Sequence, residues 1–195
     1  MMTTTTLNTT LLNHVAPGLK AWRIALAMLA GSALLAISAK VQVPFWPVPM
    51  TMQTLAILVI GMSYGSRLGV ATVLLYLAEG FAGLPVFAGA AAGPAYFMGP
   101  TAGYLIGFVA SVWLVGWLAE RGWDRSLLRC AVAMAVGHGV VFVFGVGYLS
   151  TLLGLQKALA VGLYPFWAAT LLKTLLGVAA MQLAWHLALK RRSQG

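Results

Sequence analysis

Lys173 is the residue with the most chemistry to offer. It is the one charged side chain well inside an apolar segment, about nine residues from that segment's start near Tyr164 and so roughly 14 Å deep at 1.5 Å per residue. A lysine stem snorkels over part of such a distance, but an ammonium ion in hydrocarbon is costly unless it meets a partner or a cavity. Two readings follow: an anchor for an anionic group in a cavity, or a snorkelling or backbone-paired structural lysine. Gln53 offers a donor and an acceptor, which suits a ligand carrying an amide or urea group. Thr51 is either a helix cap or a ligand contact. Trp46, Tyr76, Phe87, Tyr96 and Tyr104 are candidate flat walls, or members of the aromatic belts that mark membrane interfaces. His138, near mid-span, reads as hydrogen-bonded to a neighbouring helix. Glu79 reads as an interface or loop-pairing residue, with a site role as the alternative.

Composition restricts what these residues can do. Hydrophobic residues make up 61% of the 195 and charged residues 8%, with a mean hydropathy of +0.92. A soluble domain carries about 25% charge, so this is an integral membrane protein of one domain. The net charge of +9 comes from basic residues at the ends of apolar segments, which speaks for membrane topology and against nucleic acid. Cys130 stands alone, so no internal disulfide forms. There is no phosphate-binding Gly-x-x-x-x-Gly-Lys-Ser/Thr motif, no metal-ligand spacing among His14, His138 and His186, and no acid pair among Glu79, Glu120 and Asp124. Enzyme chemistry, a cofactor and a metal are therefore not expected, and this chain carries no motor of its own.

The elements that must position Lys173 and Gln53 are helices broken by two irregular stretches. Transmembrane spans are predicted at about 22–38, 53–62, 66–80, 99–119, 127–149 and 164–189, the second and third being short and parted by Tyr64-Gly65. Pro44, Pro47 and Pro49 rule out a regular helix before Gln53. Irregular backbone is tolerated at membrane depth only where it is packed in protein or lines a polar cavity, so the segments 41–54 and 83–104 read as the walls of a binding site. Six spans place both termini on one side. With that side cytoplasmic, Lys20, Arg23, Arg67, Arg121, Arg125, Arg129, Lys190, Arg191 and Arg192 lie inside, and only Lys40 and Lys157 face out. The outward loops are then 39–52, 81–98 and 150–163. Residues 1–21 are expected to form a flexible cytoplasmic leader, 22–190 the membrane domain and 191–195 a basic tail. On the first span Ala21, Ala25, Ser32 and Ala36 form a small-residue stripe beside the pair Ala27 and Gly31. It is either internal packing or a docking face for a separate membrane subunit.

Three blocks resemble a known family: Val-Pro-Phe-Trp-Pro-Val-Pro-Met-Thr-Met-Gln-Thr (43–54), Gly-Leu-Pro-Val-Phe (83–87) and Gly-Pro-Thr-Ala-Gly-Tyr-Leu-Ile-Gly (99–107). They are similar to the hallmark blocks of BioY, the biotin-specific S component of energy-coupling factor (ECF) transporters. The resemblance spans roughly residues 22–190. It implies a six-helix S-component fold in the cytoplasmic membrane that captures biotin from outside. It also implies partners: a transmembrane coupling subunit that engages small residues of the first helix, and cytoplasmic ATPase subunits. Carried over residue by residue, it marks Thr51, Gln53, Thr101, Tyr104 and Lys173, with Gly99, Pro100 and Gly103. The sixth helix usually opens Pro-Phe-x-x-Gly-Asp-x-x-Lys; here Ala169-Thr170 stands for Gly-Asp, so Thr170 is a candidate contact without the family's carboxylate. The alternatives are capture of another vitamin such as thiamine or riboflavin, or a small membrane enzyme or channel.

Overall fold

The computed structural model describes residues 10–15 and 20–192. Hydrocarbon requires each backbone amide to be paired within its own segment, and the apolar runs accordingly become helices. These are α1 (Leu11–Val15), α2 (Ala21–Lys40), α3 (Gln53–Phe81), α4 (Ala102–Ala119), α5 (Leu127–Leu153), α6 (Leu155–Gly162) and α7 (Trp167–Arg192). A short antiparallel ribbon pairs β1 (Gln42–Val43) with β2 (Met50–Thr51), and 3-10 turns occupy Pro94–Met98 and Tyr164–Phe166.

α3 is two antiparallel arms, 53–64 and 66–81, hinged on Gly65 at φ 84° and ψ 179°. A side chain at that φ is strained, and a Cβ there would sit 2.8 Å from Oε1 of Glu120. Gln53 and Tyr76 would stand roughly 35 Å apart in a straight helix; here Nε2 of Gln53 donates to the Tyr76 hydroxyl at 2.7 Å. A Cβ on Gly69 would meet Cα of Gly61 at 3.5 Å, so the arms lie against each other. Glu120, at the end of α4, accepts from the backbone N–H of Ser66 at 2.7 Å and from its hydroxyl at 2.8 Å, satisfying the open start of the second arm. Among the described residues, five helical stretches are long and apolar enough to cross a membrane, and counting α3 as its two arms gives the six expected segments.

α3, α4 and α5 form the middle of the bundle. Gly103 brings the α4 backbone against α5, where a Cβ would lie 2.4 Å from the carbonyl oxygen of Phe144. Ser111 of α4 donates to the Gly137 carbonyl of α5 at 2.9 Å. α2 and α7 flank this layer and turn Leu26, Leu29, Ile37, Leu171, Leu175 and Leu183 outward. One apolar cluster, around Ile57, Tyr76, Phe87 and Phe108, lies toward the proline-rich loops. The other, around Met62, Val115, Met134 and Trp185, lies toward the basic end.

Three expectations are corrected. Residues 10–15 of the leader are not free: Thr10 is buried, Leu11 packs on the second cluster and His14 faces Trp185 at 5.1 Å, while residues 1–9 and 16–19 lie outside the described residues. The 150–163 segment is not a loop, because α5 continues to Leu153 and α6 follows. The small-residue stripe is split. Gly31 and Ser32 are buried against α3: a Cβ on Gly31 would meet Thr72 Cγ2 at 2.5 Å, and Ser32 donates to Glu79. Ala27 is half-buried with its carbonyl bonded to Tyr64 at 3.0 Å, Ala36 packs on the first cluster, and Ala21 and Ala25 are exposed.

Candidate functional site

The first arm of α3 spans about 18 Å, against a hydrocarbon core of about 30 Å. The length it leaves uncovered is filled by 41–52, which the prolines keep from becoming helix. Its end is fixed by the N–H of Met52, shared between Val41 O at 3.0 Å and Ser38 O at 3.2 Å. Thr51 accepts from the N–H of Gln53 at 3.3 Å, a capping contact, and donates to Oε1 of Gln53 at 2.9 Å. Gln53 in turn donates to Tyr76, whose hydroxyl donates to the Val86 carbonyl at 2.9 Å. One line of hydrogen bonds thus joins the proline segment, both arms of α3 and the 83–89 loop.

Beneath these segments lies a cavity with about 550 Å³ of empty space, counted out through its open mouth. Of the residues expected at a site, Thr51, Gln53, Tyr96, Thr101, Tyr104, Thr170 and Lys173 all line it. Tyr76 and Phe87 lie one layer behind: Tyr76 holds Gln53, and Phe87 stacks on Tyr96 at 4.6 Å. Tyr104 presents its ring and spends its hydroxyl on the Gly162 carbonyl at 2.8 Å. Trp46 is 80% exposed, outside the cavity. Val48, Pro49 and Thr54, inside the expected 41–54 wall segment, complete the wall together with Leu105, Phe108, Val141, Phe142 and Phe166, which were missed. Phe108 is one helical turn beyond Tyr104, a spacing that could have marked it.

Lys173 is 6% exposed, and its Nζ donates to Thr51 O at 2.7 Å and Thr54 Oγ1 at 3.2 Å. No carboxylate answers it. The chain's acids number 3, and each is engaged elsewhere: Glu79 with Ser32, Glu120 with Ser66, and Asp124 with Nε1 of Trp185 at 2.7 Å. An ammonium group has three donors, so one stays uncommitted on a buried, unneutralised charge. The Thr170 hydroxyl, a few residues away on α7, makes no bond within the described residues. Burial raises the phenol pKa of Tyr96, with a hydrogen bond from Thr101 acting the other way, so both reach the cavity as neutral hydrogen-bonding groups. His138 is buried outside the cavity wall, its Nδ1 3.1 Å from Met134 O and 3.2 Å from Oγ1 of Thr174 on α7.

A cavity under irregular loops in a six-segment bundle has a counterpart among solved structures. The 2.1 Å crystal structure titled as the S-component for biotin from an ECF-type ABC transporter matches with a TM-score of 0.70 over 91% of this chain and 96% of that one, at 24% identity. The fold is that of this S component. The sequence is more specific. A model of the BioY family matches residues 7–190. The biotin transporter BioY of Thermotoga maritima is 34% identical over 69% of this chain and 79% of that protein. The probable biotin transporter BioY of Pyrococcus horikoshii is 34% identical over 69% and 78%, and biotin transporter BioY2 of Lactococcus lactis 31% over 80% and 88%. The chain belongs to the BioY family. It is a multi-pass protein of the cell membrane and a transport component, not an enzyme.

Proposed function

We propose that this protein captures biotin outside the cell and takes it up as the S component of an ECF-type transporter. The observation that carries the reading is the buried Lys173 ammonium, which borders the cavity with no acid of its own chain beside it. Biotin brings a carboxylate to neutralise that charge, an apolar thioether ring for the walls of Leu105, Phe108, Val141 and Phe142, and a ureido edge. Gln53, held by Thr51 and Tyr76, has one amide hydrogen and one acceptor site left for the ureido group, with the hydroxyls of Thr101 and Thr170 nearby. Each charge-assisted contact contributes roughly 1.5–3 kcal/mol.

The proline loops face outward in this reading, because Arg23, Arg67, Arg121, Arg125, Arg129 and Lys190 lie toward the opposite end. A transmembrane coupling subunit meets the exposed side of α2 at Ala25, with Ala27 and Ala36 at its margin, and ATPase subunits act through it. Gly31 and Ser32 support that helix from within. Ligand release requires a second state of the S component in which these contacts are poorer. The test is retention by detergent-purified protein of biotin, thiamine and riboflavin offered in parallel. Biotin alone should be retained. Retention of another vitamin, or of none, would overturn the reading.

A further inference from the structure

We propose that Lys40, the last residue of α2, is a positioning residue of the cavity: its ammonium group clamps the 83–89 loop, and through it the Tyr96 wall, and so sets how long a bound ligand stays. This rests on the cavity being the biotin site.

The loop leaves the second arm of α3 and carries Pro85, which has no N–H to give. The backbone curls through bends at Pro85, Phe87 and Ala88 and a turn at Gly89, and its own N–H groups reach the Leu84 carbonyl, from Val86 at 2.7 Å, and the Ala88 carbonyl, from Ala91 at 3.3 Å, so the Pro85, Phe87 and Gly89 carbonyls need another donor. Lys40 meets all three. Its Nζ lies 2.5 Å from Pro85 O, 2.8 Å from Phe87 O and 2.5 Å from Gly89 O, one donor for each of three carbonyls. The intervening Val86 carbonyl points the other way and takes the Tyr76 hydroxyl.

Held from both sides, the loop drives Phe87 to 0% exposure, edge-on to Tyr76 at 5.4 Å and stacked on Tyr96 at 4.6 Å. Tyr96 is a cavity wall. Lys40 touches no part of the cavity, yet three of its contacts fix the backbone that backs one side of it. A hydroxyl or amide cannot replace it, because neither offers donors to three converging carbonyls. The hallmark Gly-Leu-Pro-Val-Phe block thereby acquires a partner 45 to 49 residues earlier in the chain.

The test compares full-length wild type with Lys40→Met and Lys40→Arg, by amide hydrogen exchange without ligand and by association and dissociation rates of biotin. Lys40→Met should exchange faster in the loop after α3 while α4 and α5 stay protected, and should release biotin about fivefold faster with little change in association. Lys40→Arg should preserve loop protection and residence. Unchanged protection and release in Lys40→Met would overturn the proposal, as would loss of protection throughout the bundle. Should Lys40→Met not fold, Lys40→Gln carries the same comparison. Exchange needs no ligand, so a wild type that ignores biotin would sink the biotin reading and leave the clamp to be decided by exchange alone.

Discussion

At the basic end of the bundle carboxylates hold the irregular backbone; at the loop end amines hold it. Glu120 closes the α3 turn on Ser66, and Asp124 takes the indole N–H of Trp185 while its own carbonyl accepts from Gln182 at 3.2 Å. Arg121 and Arg125 are their neighbours in the chain, Arg125 lies 4.5 Å over the Trp185 ring, and its charge favours the Asp124 carboxylate. Lys40 and Lys173 bond to carbonyl and hydroxyl oxygens, which satisfies donors but leaves the charge. Lys40 is exposed and water takes its charge; Lys173 is buried beside the cavity, and nothing does. Shape is thus built into one end, and an unmet electrostatic demand into the other.

Replacing Lys173 by Ala attacks the difference most strongly. Biotin affinity should fall on the order of 10- to 100-fold, while the melting temperature without ligand should not fall, because an unneutralised buried charge has been removed. Lost stability with intact affinity would make Lys173 a structural tie like those at the other end. Gly65→Ala probes the basic end. Strain at positive φ and the clash with Glu120 should cost about 1–3 kcal/mol of stability in denaturation, with biotin affinity of the folded fraction unchanged. Tyr76→Phe cuts the line from Gln53 to Val86 and should weaken biotin binding about fivefold in equilibrium titration, roughly 1 kcal/mol.

The smallest effect concerns Asp124, whose carboxyl is pushed by burial from the ordinary 3.8 to about 6, with the Trp185 hydrogen bond opposing. The folded state therefore holds the proton more tightly than the unfolded one. Stability should decline as pH rises from about 4 to about 6 and level off above. Asp124→Asn should flatten that slope in melting curves without altering biotin affinity.

Much of this was legible in the sequence, for identifiable reasons. Charge inside an apolar run costs so much that Lys173 stood out, and a run of prolines can only be irregular, so the segment that shelters the cavity was readable. Tyr64-Gly65 marked the turn of α3 because glycine alone takes that backbone without strain. Which residues meet across the bundle was not readable. Gly31 and Ser32 look as much like a docking stripe as like packing until Thr72 and Glu79 are seen opposite them. Tyr76 and Phe87 have the right types for a cavity wall but stand behind it, because Gln53 and Tyr96 come between. Lys40 read as a topological charge, since nothing local shows that its acceptors lie at 85–89.

The most direct measurement is a two-by-two comparison of equilibrium affinities: wild type and Lys173→Ala, each with biotin and with its uncharged carboxamide. The wild type should prefer biotin by tenfold or more, and the variant should lose that preference while binding the carboxamide nearly as the wild type does. A preference of the same size in both proteins would contradict the pairing of Lys173 with the ligand carboxylate.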